Sequence, residues 1–141
     1  MSEIHTTSIQ LRFNDVDLMD HVYNEKYQEF FDLARLNYFE KVLGRLISWT
    51  ETGLVIASVK VDYIEPIYLK DQIEVQTHIS SLGEKSLEMT QQLFKKGNPE
   101  PAALCTTVLV CYHMQHKKSE LIPDEWRKKI KAYEPYLTQN S

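Results

Sequence analysis

The fold is decided by residues 11–24, which read LRFNDVDLMDHVYN and join a strand, an acidic turn and the start of a helix. Apolar and polar residues alternate over residues 6–13, which predicts a half-buried strand. After the turn, apolar residues recur at three- and four-residue steps, which predicts an amphipathic helix from about Asn24 to Leu43. The apolar stripe of this helix consists of Tyr27, Phe30, Phe31, Ala34, Tyr38, Phe39, Val42 and Leu43. Such a stripe must be buried against a sheet or another helix.

Both ends of the predicted helix carry typical signals. Asn24 suits the N-cap, Glu25 lies favourably in the first turn, and Gly44 suits the C-terminal stop. Unpaired backbone N–H groups make the start of a helix electropositive. A carboxylate of the acidic turn would lie beside this end, an arrangement that suits attack on a polarised carbonyl group.

Four further strands are predicted after the helix, over residues 55–63, 72–79, 86–94 and 102–112, joined mostly by short connections. In the first of them, one face should carry Val55, Ala57, Val59, Val61 and Tyr63. The order of elements is that of an α+β fold, with one antiparallel sheet packed on one long helix.

The last of these strands is apolar or small on both faces, which predicts a central strand that is covered on both sides. Pro123 should begin a short, peripheral C-terminal helix. A sheet with one main helix keeps a partly bare face and an exposed edge. We therefore expect a homo-oligomer, either a dimer or a dimer of dimers.

The composition fits one compact domain. With 141 residues, 43% of them apolar, the chain can bury its own core, and we expect a single domain over residues 1–141. The net charge of −4, with acidic and basic residues mixed along the chain, argues against a nucleic-acid-binding surface. No apolar run approaches the roughly 20 residues of a membrane span, and the first residues lack a signal-peptide pattern. We therefore expect no nucleic-acid or membrane partner and a cytoplasmic location.

The cysteines and histidines predict neither a disulfide nor a metal site. Cys105 and Cys111 lie in one predicted strand, on the same face, and should be roughly 20 Å apart at about 3.3 Å per residue. We expect both to be buried, reduced thiols. The histidines are scattered, with no spacing typical of zinc ligands, at His5, His21, His78, His113 and His116.

Residues 15–24, followed by Tyr27 and the aromatic-rich helix, resemble the 4-hydroxybenzoyl-CoA thioesterase-like branch of the hotdog-fold superfamily. The resemblance extends from about Ile9 to Trp126 and includes residues 65–68. It implies a hotdog fold, in which a five-stranded antiparallel sheet wraps around one long central helix, and hydrolysis of acyl-CoA thioesters.

The resemblance also implies roles for residues of the turn and the helix start. The catalytic carboxylate of the family falls on Asp17, and the backbone N–H groups that hold the thioester oxygen fall near Tyr23, Asn24 and Glu25. The family turn usually continues with Gly, His, Val, Asn, Asn, whereas this chain has Asp20 for the Gly and Tyr23 for the first Asn. A glycine at such a turn often adopts positive φ, which Asp tolerates better than most residues.

Other residues of this region have simpler explanations. Asp15 is expected to stabilise the turn by bonding to the backbone, and His21 either supports the reaction or braces the turn. Tyr27 belongs to the core stripe and can also line an acyl tunnel at a dimer boundary. Glu25 and Glu29 on the early helix are the alternatives to Asp17 as the catalytic carboxylate. Phosphate contacts of CoA cannot be assigned to the scattered lysines.

The sequence thus predicts an acyl-CoA thioesterase that needs neither a metal nor an organic cofactor. Asp17 would act as nucleophile or as general base. The alternative, motivated by the departures at Asp20 and Tyr23, is a hotdog protein that binds acyl-CoA without catalysis. An acyl hydratase is a weaker third interpretation. The acyl group itself stays open between aromatic, short and long chains.

Overall fold

The structure, a computed structural model, describes residues 4–48 and 50–139. In order, the helices and strands of these residues are β1 (His5–Ile9), α1 (Asn24–Val42), β2 (Thr52–Tyr63), β3 (Ile73–Leu82), β4 (Ser86–Lys95), β5 (Ala103–His113), β6 (Lys118–Ser119) and α2 (Asp124–Tyr133). The strands form one sheet in the order β1-β3-β4-β5-β2, with antiparallel pairing throughout, and the two-residue β6 pairs with the end of β5. This confirms the predicted antiparallel sheet on one long helix and adds a short sixth strand.

Helix α1 buries the stripe that the sequence predicts. All eight apolar positions of the stripe are buried, and so is Arg35, with 6% of its surface exposed. Tyr23 is the N-cap in place of Asn24, which is the first helical residue. Gly44 follows the C-cap with φ +55°, the left-handed conformation that commonly ends helices, so the predicted stop is confirmed.

The first strand is shorter than predicted. It ends at Ile9, and Phe13, expected on its buried face, is 79% exposed. The cause is a one-turn 3-10 helix at Phe13–Asp15, in which the Asp15 carboxylate accepts a hydrogen bond from the Arg12 N–H at 2.8 Å. This local hydrogen bond stabilises a chain direction that leaves the sheet before the acidic turn begins.

Strand β2 begins earlier than predicted and changes face in its middle. Its pairing with β5 shifts register between Ile56 and Ser58, so a β-bulge lies at Ala57. Ile56 is paired with Leu109 and Val59 with Thr107, and both partners are buried beneath α1. Because paired residues point to the same side of a sheet, Ile56, Val59, Val61 and Tyr63 face the helix. The predicted common face with Val55 and Ala57 is therefore wrong.

Two further expectations are corrected. Strand β5 buries alternate residues only, from Ala103 to Cys111, and the residues between them are partly exposed, so within the described chain it is covered on one face. Helix α2 is not peripheral, because its Trp126 and Ile130 are buried against the end of α1. The expectation of buried, unpaired thiols at Cys105 and Cys111 is confirmed.

The core beneath α1 has two apolar parts. The turn-side core consists of Ile9, Val22, Tyr27, Phe30, Phe31, Ala34, Ile67, Ile73, Val75, Leu93, Ala102, Ala103 and Cys105. The far core consists of Tyr38, Phe39, Val42, Leu43, Leu54, Ile79, Leu87, Met89, Leu109, Cys111, Ile122, Trp126, Ile130 and Leu137.

A buried polar layer, made of Arg35, Thr77, Gln91 and Thr107, lies between the two parts. On each of its strands, the layer residue has a neighbour from one core two positions before it and a neighbour from the other core two positions after it. Arg35 donates to Thr107 Oγ1 at 3.0 Å and to Gln91 Oε1 at 3.4 Å. Gln91 Nε2 donates to Thr77 Oγ1 at 3.2 Å, so hydrogen bonds connect all four residues.

Candidate active site

Asp17 lies half-buried in the acidic turn, and its carboxylate holds that turn together. The Oδ1 atom accepts backbone hydrogen bonds from Met19 at 2.8 Å and from His21 at 3.1 Å. The Asp17 N–H in turn donates to the His21 carbonyl at 2.9 Å. No hydrogen bond within the described residues uses the second carboxylate oxygen, Oδ2. The catalytic role of Asp17 stays a prediction. In that role, Oδ2 is the oxygen that would react.

Asp15 connects the turn to the helix start and is fully buried. Its carboxylate accepts from the Arg12 N–H, and Oδ1 lies 3.4 Å from the Arg12 guanidinium and 4.0 Å from Lys26 Nζ. Its carbonyl oxygen accepts from the Tyr23 N–H at 2.9 Å. These contacts support the prediction that Asp15 is a structural residue of the turn.

The start of α1 offers two of the three predicted N–H donors. The Tyr23 N–H is occupied by the Asp15 carbonyl, so in this conformation it cannot also bind a ligand. Asn24 and Glu25 are the first two residues of α1, and no acceptor in the described part of the chain is paired with their N–H groups. The available pair is therefore Asn24 and Glu25.

Asp20 occupies the position where the resemblance places a glycine. Its φ is +62°, which agrees with the prediction that this turn needs a left-handed residue. Its Oδ1 atom also accepts a hydrogen bond from the Leu69 N–H at 3.2 Å. The substitution therefore keeps the conformation of the turn and adds a contact to the segment before β3.

His21 and Val22 attach the turn to the same segment. The His21 ring meets the Tyr68 ring edge-on, with 5.2 Å between centroids, and the two residues form an antiparallel bridge. The Val22 N–H donates to the Ile67 carbonyl at 2.8 Å. Of the two interpretations of His21, the contacts support bracing of the turn.

Tyr27 is a core residue beneath the helix start. It is almost fully buried, and its ring meets the Tyr63 ring edge-on at 5.0 Å. Burial raises the pKa of the Tyr27 phenol above its ordinary value. The alternative carboxylates, Glu25 and Glu29, are exposed, and Glu29 pairs with Lys26 at 3.1 Å.

Asp17 does not line any of the following three cavities of the described chain. One cavity, of about 920 Å³, lies at the β1 edge of the sheet. A second, about 230 Å³, lies beside Glu134 and Tyr136. The third, about 240 Å³, lies between α1 and β2, and we call it the border pocket. It is lined by Asp32, Arg35, Leu36, Phe39, Leu54, Ile56 and Leu109.

Neither a metal-binding cluster nor a membrane-spanning helix occurs in the described chain. Within residues 4–48 and 50–139, no three His, Cys, Asp or Glu side chains come together in a way that suits a metal ion. Over the same residues, no helix is long and apolar enough to cross a membrane.

The acidic turn and the helix start fall inside a region that matches a known family. The sequence profile of the Thioesterase-like superfamily matches residues 11–130. The chain belongs to this superfamily.

Two relatives align along nearly their whole length. The long-chain acyl-CoA thioesterase FadM of Escherichia coli is 24% identical over 127 residues, which cover 88% of this chain and 95% of the relative. The 1,4-dihydroxy-2-naphthoyl-CoA hydrolase of Trichodesmium erythraeum is 25% identical over 135 residues, which cover 89% and 94%.

A solved structure gives the same result for the fold. The thioesterase of Thermus thermophilus in complex with coenzyme A and zinc is 30% identical, with a TM-score of 0.78 and coverage of 92% of this chain and 93% of that chain. The predicted hotdog fold is thus confirmed, and the predicted thioesterase class is confirmed at the level of the superfamily.

Sequence reasoning missed the polar layer. Arg35 follows Phe31 by four residues and precedes Tyr38 by three, so it lies on the same face of α1 as the apolar stripe. This spacing could have predicted that Arg35 is buried. The hydrogen-bond partner of Thr77 across the sheet could not be known from the sequence. The Asp20 contact to Leu69 joins residues far apart in the chain and left no sequence signal.

Proposed function

We propose that this chain hydrolyses acyl-CoA thioesters with Asp17 as the reacting carboxylate. The observation that supports this most is the meeting of two features at one place. The acidic turn holds Asp17 through one oxygen only, and the N–H groups of Asn24 and Glu25 are unpaired within the described chain at the adjoining helix start. A carboxylate and an electropositive helix end are the two groups that this hydrolysis requires.

The two N–H groups would polarise the thioester carbonyl. A developing oxyanion at the start of α1 gains hydrogen bonds and the favourable helix dipole, and one well-placed donor contributes about 3 kcal/mol. The bond to sulfur then breaks because the thiolate of CoA is a good leaving group. No metal or organic cofactor is part of this proposal.

Asp17 would supply or activate the oxygen nucleophile. In one route, Oδ2 attacks the carbonyl carbon, the CoA thiolate leaves, and water hydrolyses the mixed anhydride to the free acid and the restored carboxylate. In the other route, the carboxylate accepts a proton from water, the hydroxide attacks, and the proton passes to the departing sulfur. Both routes place the same demand on the structure, which is a free Asp17 oxygen near the carbonyl carbon.

We also propose that the active form is a homodimer, or a dimer of dimers. Strand β2 pairs only with β5 within the described chain, so its other edge is free. Its helix-facing side chains are apolar and exposed, with 50% of Ile56, 37% of Val59 and 47% of Tyr63 accessible. A second copy that pairs along β2 would cover these side chains and enclose the border between α1 and β2.

A non-catalytic acyl-CoA-binding protein is the second candidate. The observation in its favour is that Oδ1 of Asp17 is bonded within its own turn and that Asp17 lines none of the three cavities at the β1 edge, beside Glu134 and between α1 and β2. The relatives leave the acyl group open as well, because one is named for long-chain and another for naphthoyl thioesters. The cytoplasmic location stays a prediction.

Thiol release from a panel of acyl-CoA thioesters tests the proposal. The panel contains saturated chains of several lengths and one aromatic acyl group. We expect catalytic release of CoA from at least one class by the wild-type protein without added metal. Calorimetry on the same thioesters provides the contrast, because binding without any release would support the non-catalytic protein and contradict the thioesterase.

A further inference from the structure

We propose that Asp20 is a positioning residue of the reaction, because its hydrogen bond to the Leu69 N–H fixes the turn that directs the Asp17 carboxylate. This inference rests on the proposed function, since it takes Asp17 as the reacting carboxylate. Asp20 acts through Asp17 in this role and not on the substrate itself. The inference gives a task to a residue that stands where the family turn carries a glycine.

The first argument is that the backbone around Asp20 sets the direction of the Asp17 carboxylate. The Oδ1 atom of Asp17 accepts from the Met19 N–H at 2.8 Å and from the His21 N–H at 3.1 Å. Asp20 lies between these two donors in the chain, and its φ is +62°. The Asp20 N–H also donates to the Asp17 carbonyl oxygen at 3.0 Å. A change of the backbone at Asp20 would therefore move the donors that hold Oδ1, and Oδ2 would point in a different direction.

The second argument is that packing does not hold the tip of the turn. Leu18, Met19 and Asp20 form this tip, and all three are exposed to solvent. Leu18 and Met19 have 106% and 73% of their surface accessible. Because these apolar side chains stay in water, burial contributes little to the conformation of the tip. Hydrogen bonds must supply the restraint, and the bond from the Leu69 N–H to Asp20 Oδ1, at 3.2 Å, joins the tip to a distant segment of the chain.

The third argument is that Leu69 belongs to a segment which is itself fixed. The Tyr68 N–H donates to Asp71 Oδ2 at 2.8 Å, and the Asp71 N–H donates back to the Tyr68 carbonyl oxygen at 2.9 Å. Asp71 Oδ2 also lies 3.4 Å from Nζ of Lys95, on β4. Ile67, at the start of the segment, is fully buried. A turn that is bonded to this segment is held in place relative to the sheet.

The residue types that tolerate a left-handed backbone make this hydrogen bond testable. Glycine adopts positive φ freely but has no side-chain acceptor. Asparagine tolerates the same conformation, and its amide oxygen can accept from the Leu69 N–H. Asp20→Gly and Asp20→Asn therefore differ in the hydrogen bond. Asp20→Ala also lacks the acceptor but leaves the backbone less free than glycine does, so it separates loss of the bond from gain of flexibility.

The test measures kcat, KM and urea stability of these three variants with an acyl-CoA thioester that the wild-type protein hydrolyses. A shift of about 1 Å in a reacting group can cost about 10²-fold in rate. We expect kcat per folded protein to fall about tenfold in Asp20→Gly and Asp20→Ala, with KM changed less than about twofold. Asp20→Asn should rescue kcat to within about threefold of the wild-type value.

Lys117→Gly is the matched control for the glycine variant. Lys117 is an exposed residue in the turn between β5 and β6, and its φ of +54° is also left-handed. It contributes nothing to the acidic turn, whose contacts involve other segments of the chain. Lys117→Gly should therefore leave kcat and KM unchanged.

Three results in an active enzyme would overturn this inference and leave the thioesterase intact. The first is unchanged kcat in folded Asp20→Gly and Asp20→Ala, which would make Asp20 a structural residue only, even if both variants are less stable. The second is a loss of kcat in Asp20→Gly alone, which backbone flexibility would explain. The third is an equal loss in Asp20→Asn, since the charge and not the hydrogen bond would then matter.

If the wild-type protein hydrolyses no thioester, the thioesterase proposal fails instead. Amide hydrogen exchange of Met19 and His21, measured by NMR, then decides the inference, because these N–H groups report how firmly the Asp17 carboxylate is held. Faster exchange in Asp20→Gly and Asp20→Ala, restored to the wild-type rate in Asp20→Asn, would support Asp20 as the residue that fixes the carboxylate. Equal exchange in all variants would refute it.

Discussion

Asp17→Asn separates the two tasks of one carboxylate, which are to hold the acidic turn and to react. The amide oxygen of the substituted side chain can still accept the Met19 and His21 N–H groups that Oδ1 accepts at 2.8 and 3.1 Å. Only the charge is lost, and a hydrogen bond to a charged group exceeds a neutral one by about 1 kcal/mol. For two such bonds at a half-buried site, the free energy of unfolding should fall by about 1–2 kcal/mol.

The effect on thioester hydrolysis should be much larger. Removal of a positioned base or nucleophile costs about 10²- to 10⁴-fold in rate. We expect kcat to fall about a thousandfold, which corresponds to about 4 kcal/mol of activation free energy. The assay is spectrophotometric detection of the released CoA thiol, with urea denaturation of the same preparations to measure stability.

Asp17→Ala is the comparison variant, because it removes the acceptor as well as the charge. It should be as inactive as Asp17→Asn and less stable by a further ~1–3 kcal/mol. Near wild-type turnover of a folded Asp17→Asn protein would refute the reasoning. The same measurement on Glu25→Gln and Glu29→Gln would then show which exposed carboxylate of the early helix takes the role.

Three further predictions concern the core, the thiols and the dimer. Ile130→Ala should lower the free energy of unfolding by about 2–5 kcal/mol, since Ile130 is fully buried. Lys129 is exposed, so Lys129→Ala should change this free energy little, and urea denaturation measures both effects. Burial raises the pKa of the Cys111 thiol to about 11, so only about one thiol in a thousand is ionised at about pH 8. A thiol reagent should therefore label Cys111 only after denaturation. Val59→Lys should convert the proposed dimer to a monomer in analytical ultracentrifugation. Leu33→Lys, which changes an exposed residue of α1, should leave the dimer intact, and a dimeric Val59→Lys protein would contradict pairing along β2.

The parts of the fold that the sequence predicts well are those with strong local signals. The α1 stripe and Gly44 are such cases, because burial of one helix face and a left-handed C-terminal residue depend on neighbours along the chain. The positive φ of Asp20 was also anticipated, from the glycine that the family turn carries at this position.

The errors arose where other contacts override a simple alternating or polar pattern. Apolar and polar residues alternate in the sequence through Phe13, but the strand ends earlier because the Asp15 carboxylate stabilises a 3-10 helix at Phe13–Asp15. The bulge at Ala57 exchanges the faces of β2 without any glycine to mark it. Helix α2 was expected at the periphery, yet its Trp126 and Ile130 are part of the far core.

The sequence predicts where the candidate site residues lie in the fold, but not all of their contacts. Asp17, Asn24 and Glu25 are brought to one turn and one helix start, as the resemblance implied. That the Tyr23 N–H is already occupied depends on a backbone contact across the turn, which no residue pattern encodes. Which apolar side chains of β2 face the helix likewise depends on the strand register and on the bulge.

The polar layer has a consequence for how this protein can change over evolution. Gln91 and its three partners have fixed hydrogen-bonding directions, so side chains on one side of the layer cannot easily shift into the other side. Substitutions at Met89 and at Leu93, which lie on opposite sides, should therefore combine additively in their effects on stability. Side chains around the end of α1 should therefore tolerate changes in size without displacing the beginning of the helix.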